Sequence, residues 1–232
     1  MAVKHRHVIA MGGSSSGAKK LAIYEYILSL TEKSKPRACF LPTASGDSPL
    51  YIKRFYRDFE KLGAKTSHLS LFQSLPQLPA KALAGQDVIF VGGGNTRNML
   101  VLWKEWGIDT ILRRALARGT ILAGSSAGAI CWFEQGLTDS NPGAYTPLNA
   151  LGWLKGSFCP HFDSEPRRKP AFRSLIRQGT LAGGYAVDDG VALHFIDGTL
   201  TNVVSSRPTA RARFIQRQRG RLIERVLTPT RL

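Results

Sequence analysis

Between residues 7 and about 133, short apolar, β-branched runs alternate with longer amphipathic stretches, and this alternation limits the fold more than any other feature. HVIAM (7–11), ACFLP (38–42), KTSHL (65–69), DVIFVGGG (87–94) and TILAG (120–124) read as strands. Between the first two, residues 18–30 carry apolar side chains at 21, 22, 23, 26, 27 and 30, the spacing of one helix face. Residues 50–62, 95–106 and 109–118 read as further helices. DVIFV is apolar without a break, as a strand covered on both faces requires. Strands joined by helical crossovers lie parallel in one sheet with helices on its faces. After residue 180, GGYAVDDG, VALHFIDG and TLTNVVSS are short β pieces divided by Gly or Asp-Gly turns, which predict antiparallel strands extending that sheet. The expectation is an α/β fold: one domain over residues 1–232, a three-layer α/β/α sandwich whose mostly parallel sheet has an antiparallel C-terminal extension.

Composition narrows the function classes. No apolar run reaches the roughly 20 residues that span a bilayer. The start, MAVKHRHVIAMGG, has only a four-residue apolar run before two glycines, which suits a first strand better than a secretory leader. Cys39, Cys131 and Cys159 are odd in number and lack metal-ligand spacing, so they read as free thiols of a reducing cytoplasm. The net charge of +16 is the unusual value. Residues 207–232 hold eight arginines and one acid, Glu224. A nucleic-acid surface would use such charge, but no recognition motif accompanies it, and a C-terminal hairpin with outward arginines is the preferred reading.

In a parallel sheet, ligands bind beyond the carboxyl ends of the strands. Four loops fall there: GGSSSG (12–17), TASGDS (43–48), GGGNT (92–96) and GSSAGA (124–129). The first is not a P-loop, because Gly17 is followed by Ala18 and only then by Lys19; it reads as a turn and cap. The last fits G-x-S-x-G with Ser126 at its centre. A nucleophile on a sharp strand-to-helix turn needs small neighbours, and the next backbone N–H can serve as an oxyanion donor. Of five histidines, His5 and His7 lie at the wrong end of the first strand, His68 ends a short strand and His194 lies inside VALHF. His161, in the loop-like segment GSFCPHFDSEP, is the best placed base. The orienting acid is either Asp139 or one of the pair Asp188–Asp189.

Together, VGGGNT (91–96), GSSAGA (124–129), PHF around His161 and the acid before Gly190 resemble the peptidase E (aspartyl dipeptidase) family in order and separation. These are serine hydrolases with a fold like the class I glutamine amidotransferases. The resemblance implies Ser126 as nucleophile, His161 as general base, and the N–H groups of Gly94 and Ala127 as oxyanion donors. Asp189 matches the acid that follows the histidine in cyanophycinase-like relatives; Asp139 matches the acid between serine and histidine in the aspartyl dipeptidases. Asp189 is the preferred third member. The family binds an acidic substrate side chain through an arginine beyond the histidine, which implies Arg167 or Arg168, with Arg173 nearby. The implied activity is hydrolysis of small peptides, dipeptides with an acidic N-terminal residue among them, without metal or cofactor; β-aspartyl and cyanophycin-like bonds are the alternative substrates. One departure bears on the substrate: Ser125 stands where the aspartyl dipeptidases carry a bulky aromatic.

Overall fold

The computed structural model describes residues 5–14, 19, 21–73 and 78–232. In its first half the elements are β1 (His7–Met11), α1 (Ala22–Ser29), β2 (Arg37–Leu41), α2 (Pro49–Lys61), β3 (Lys65–His68) and α3 (Pro79–Ala82). They continue with β4 (Val88–Val91), α4 (Thr96–Glu105), α5 (Ile108–Ala117), β5 (Ile121–Ser125) and the single turn α6 (Ala127–Ile130). The second half holds β6 (Phe133–Thr138), β7 (Thr146–Asn149), β8 (Leu154–Cys159), α7 (Arg168–Gln178) and β9 (Gly184–Val187). It ends with β10 (Val191–Ile196), β11 (Thr199–Ser205), β12 (Ala212–Gln218), β13 (Arg221–Leu227) and β14 (Thr230–Arg231). Residues 15–18, which include half of the first loop and the expected start of α1, lie outside the described residues.

The fold is mixed α/β, with an eight-stranded sheet in the order β14-β11-β10-β1-β5-β4-β2-β3. The strands β1, β5, β4, β2 and β3 are parallel, and β10 and β11 extend them antiparallel, as the Asp-Gly turn predicted. Asp197 and Gly198 both have positive φ, the backbone of a two-residue hairpin turn. The unbroken apolar runs are explained by two buried faces. Ile9, Phe40, Phe90 and Ala123 pack with Ile23, Ile27, Phe55 and Phe59 of α1 and α2. Their neighbours Val8, Cys39, Ile89 and Leu122 pack on the other side with Met99, Trp103 and Leu112 of α4 and α5.

The structure departs from the expected single sheet in one respect. A second, six-stranded sheet runs β13-β12-β9-β8-β6-β7. GGYAV therefore forms β9, parallel to β8 in this sheet, instead of extending the first one. The reason lies in residues 133–159, whose strands mix polar and apolar residues and show no clean period; GSFC, read as loop, is the end of β8. The second sheet shares the core of the first through Phe133, Phe158 and Phe195, and α7 covers its far side with Phe172 and Ile176. The arginine-rich tail is the β12–β13 hairpin, closed by Arg219 and Gly220 at positive φ, with Arg217, Arg219, Arg221 and Arg225 exposed. No helix of the described residues is long and apolar enough to cross a membrane.

At the end of the sheet away from the four loops, a histidine pair, His194 buried and His7 half-buried, links β1 to β10. Asn202 donates to the Tyr26 hydroxyl at 3.4 Å, and that hydroxyl lies 2.7 Å from His194 Nδ1. If the tyrosine donates, His194 keeps its proton on Nε2 and gives it to His7 Nδ1 at 2.9 Å. Burial, and then the His7 charge, push His194 down to about 4; burial also lowers His7. Both are therefore neutral in the fold, whereas the unfolded chain takes up protons as pH falls below the ordinary histidine value. The stability present above pH ~6.5 is lost as pH drops towards 4, by about 3 kcal/mol for His194 alone. Thermal melts at pH 7 and pH 4.5 check this: His194→Gln is expected to lose markedly less stability on acidification than the wild type.

Candidate active site

The described residues of the four loops, 12–14 of the first among them, meet at the carboxyl end of the parallel strands. GGGNT and GSSAGA, with Ser14 of the first loop, border a cavity of about 840 Å³ whose wall includes Gly92, Gly93, Gly94, Ser126, His161 and Asp189, while TASGDS packs behind Gly94 through the Ala44 carbonyl. The centre is the turn between β5 and α6, where Ser126 has φ 56° and ψ −116°, a conformation that non-glycine residues rarely adopt. Close packing of backbone holds it there. A methyl group on Gly124 would overlap the Gly128 carbonyl, and one on Gly128 would overlap the Val91 carbonyl. The Ser126 N–H donates to the Met11 carbonyl at 3.2 Å, and the Ser126 carbonyl accepts from Ala129 and Ile130 at 2.9 Å each. The spacing G-x-S-x-G is thus a steric requirement of this turn. Gly128→Ala is expected to destabilise the fold by roughly 2–3 kcal/mol, read as a fall in thermal midpoint.

Strain of this kind costs of order 1–3 kcal/mol and persists only where the surroundings over-determine it. Here it aims the Ser126 side chain at the cavity. The neighbouring Gly93 approaches so closely that a methyl group there would stand 3.2 Å from Ser126 Cβ. Gly94, at φ 138°, lies against the Ala44 carbonyl, where any side chain would overlap it. Asn95 locks this approach: its N–H donates to Ala44 at 2.7 Å, while its side chain caps α4 at the Asn98 N–H. The N–H groups of Gly94 and Ala127 have no acceptor among the described residues.

His161 follows Pro160 at the end of β8, also at positive φ, with its N–H donating to the Gly12 carbonyl at 3.1 Å. Its Nδ1 lies 2.7 Å from Asp189 Oδ1. An ionised carboxylate can only accept, so Nδ1 carries the proton and a neutral ring keeps Nε2 as a free acceptor. Burial opposes the charge on Asp189, but hydrogen bonds from His161 and Ser164, with Arg207 nearby, outweigh it and hold the carboxyl below the usual range. Gly13 makes the pair possible: a methyl group there would overlap the Asp189 carboxylate and stand 2.7 Å from the His161 ring. Ser126 Oγ and the His161 ring share the cavity without a hydrogen bond to each other. In hydrolases such contacts often tighten only when substrate binds.

The other acids point elsewhere. Asp188 is buried, accepting from the Arg211 N–H at 2.8 Å and from Arg213 at 3.1 Å; burial raises its pKa. Asp139 is largely exposed and stands 3.6 Å from Arg168. Arg168 is buried in the cavity wall, donating to Glu165 at 2.7 Å and to the Leu137 carbonyl at 3.1 Å, with Tyr145 stacked 4.7 Å from its guanidinium. Arg167 is exposed and reaches the Gly143 carbonyl at 3.3 Å, while Arg173 pairs with Glu224. Of the three arginines, only Arg168 lines the cavity.

Some site residues escaped the sequence reading. Asp163 accepts from the Asp189 N–H at 2.8 Å and from Arg207 at 2.6 Å, and Arg207 also holds the Asp189 carbonyl at 2.9 Å. Asp163 was visible only as a polar residue after His161, and Glu165 only as a residue three before Arg168. Cys131 caps the one-turn α6 at its C-terminal end; buried, its thiol is held well above the ordinary range. Among the described residues, no group of three or more His, Cys, Asp or Glu side chains is arranged to hold a metal ion.

Comparison with known proteins gives a consistent picture. The sequence model of peptidase family S51 matches residues 8–203. The chain is 54% identical over 209 residues to the uncharacterized peptidase YgaJ of Bacillus subtilis (strain 168), covering 89% of this chain and 90% of that protein. It is 33% identical over 125 residues to Peptidase E of Pasteurella multocida (strain Pm70), covering 50% of this chain and 53% of the other. The crystal structure of a peptidase from an acI-B1 Actinobacterium shares the fold, with a TM-score of 0.71 at 20% identity over 98% of this chain and 96% of that one.

Proposed function

The chain belongs to peptidase family S51, and on that premise we propose that it is a serine peptidase cleaving small peptides through an acyl-enzyme. The observation that carries this reading is a strained Ser126 sharing one cavity with the hydrogen-bonded pair His161–Asp189. His161 Nε2 takes the Ser126 proton as Oγ attacks the scissile carbonyl. The N–H groups of Gly94 and Ala127 receive the oxyanion, each donor contributing about 3 kcal/mol to the transition state. The protonated His161 then delivers its proton to the leaving amine, and the C–N bond breaks. Water, activated by the same imidazole, releases the acyl group and restores the serine. Throughout, Asp189 holds the ring in the tautomer with Nε2 free.

Asp189 is preferred to Asp139 as the third member because it is the carboxylate on Nδ1, whereas Asp139 faces Arg168. Of the arginines beyond His161, Arg168 is the one placed to meet an acidic substrate side chain, and its charge is already met by Glu165 and Asp139. Such a preference therefore depends on substrate displacing Asp139 from the guanidinium. Hydrolysis of a dipeptide panel that includes Asp-X and β-aspartyl members tests the proposal on wild type, Ser126→Ala and His161→Ala. Turnover of at least one class by the wild type, and its loss in both variants, is the expected outcome. Undiminished turnover in Ser126→Ala would overturn it.

A further inference from the structure

Ser125 and Gly92 lie side by side in the sheet, one row beyond Phe90 and Ala123 towards the carboxyl end. Residues 121, 123 and 125 of β5 alternate onto the face that packs under α1 and α2, the face carrying Phe40 and Phe90. In the rows below, that face is filled with aromatic rings. Phe40 stacks on Phe55 at 4.9 Å and 9°, and Tyr24 meets Phe90 edge-on at 5.5 Å. In the last row, next to Ser126, the buried Met11 side chain of β1 is followed across the sheet only by a hydroxymethyl group and a hydrogen. The Phe40 ring leans into this gap, so that even a methyl group on Gly92 would stand 2.8 Å from its Cζ. The space is part of the cavity that holds Ser126, and Tyr51 borders it, 46% exposed. Of the charges around it, Arg57 pairs with Asp58 at 2.8 Å, while the exposed Arg54 guanidinium sits 5.9 Å from the Tyr51 ring.

We propose that this gap is a specificity subsite that takes an aromatic or large apolar side chain of a substrate residue flanking the scissile bond, with Ser125 the residue that keeps it open. The proposal rests on Ser126 being the nucleophile beside it. Its physical basis is the aromatic lining of the cavity on this side, where Tyr24, Tyr51, Phe40 and Phe90 border it: an incoming ring leaves water for contact with that wall, and small side chains leave it wet. Nothing in the rest of the wall offers an equivalent apolar surface, since the opposite side is formed by Asp139, Glu165 and Arg168.

The test compares Ala-Ala, Phe-Ala and Ala-Phe. At least one phenylalanyl peptide is expected to show kcat/KM about tenfold or more above Ala-Ala, the discrimination an apolar pocket supplies. Ser125→Phe, which fills the hollow from within, is expected to collapse that ratio to about threefold or less. Tyr51→Ala, at the exposed rim where folding is not at stake, is expected to lower the ratio without moving the thermal midpoint. Equal turnover of the three peptides by wild type, or an undiminished ratio in a folded Ser125→Phe protein, overturns the subsite. Calorimetric titration of the same peptides into Ser126→Ala separates this from failure of the catalytic reading. Tighter binding of the phenylalanyl peptide supports the subsite even if no hydrolysis occurs, and equal binding removes it.

Discussion

Ser126→Ala is expected to lower kcat for peptide hydrolysis by roughly 10⁴- to 10⁶-fold, because a nucleophile acting within a triad leaves only binding and the oxyanion donors when removed. The fold should be preserved, since serine and alanine bear the same strained backbone at this turn. Ser126→Gly makes the companion prediction. Glycine adopts φ 56°, ψ −116° without the Cβ penalty, so this variant is expected to be inactive and more stable by about 1 kcal/mol. Steady-state kinetics and thermal melts on the same two preparations check both halves. A strained residue whose relief raises stability while abolishing activity is what a functional origin of the strain requires, and a purely structural turn would show no such opposition.

Asp189→Asn carries the second large effect. With the carboxylate gone, the asparagine side chain can present either its carbonyl or its amide to Nδ1, and the amide would favour the tautomer that places the proton on Nε2. That tautomer cannot accept the serine proton, and a loss of roughly 10⁴-fold in kcat is expected. Asp139→Asn is expected to change kcat by less than about fivefold, because Asp139 is 60% exposed, stands 3.6 Å from Arg168, and its loss leaves Glu165 still paired with that buried guanidinium. The comparison is informative because the two acids flank one cavity and differ in which cation they face. A larger loss at Asp139 than at Asp189 would mean that the ring turns to a different partner during turnover.

The parallel half of the fold and the Ser126 turn were legible in the sequence for the same physical reason. Strands such as VIFV, buried on both faces, must be apolar throughout, and the residue pair Gly124 and Gly128 must lack side chains for backbone to pass at contact distance. Requirements of this kind act through a few adjacent residues. The second sheet was not legible because β6, β7 and β8 are partly covered strands whose partners lie far along the chain; their pattern depends on what they pack against. The same holds for Asp163 and Arg207, which support Asp189 across separations of 26 and 18 residues. The residue pattern alone left Asp188 and Asp189 open, and only the resemblance singled out Asp189: adjacent residues in an extended segment point to opposite sides, and the placement of β12 decides which side meets Arg213 and which meets His161.

The central claim is that Ser126 forms a covalent bond to the substrate carbonyl carbon. Labelling with a fluorophosphonate, followed by peptide mapping, tests it most directly. The account predicts one adduct per chain, on Ser126, with loss of peptidase activity in step with labelling, no adduct in Ser126→Ala and much slower labelling in His161→Ala. Peptide hydrolysis that persists while Ser126 is fully labelled, or an inactivating adduct on another residue, would contradict it.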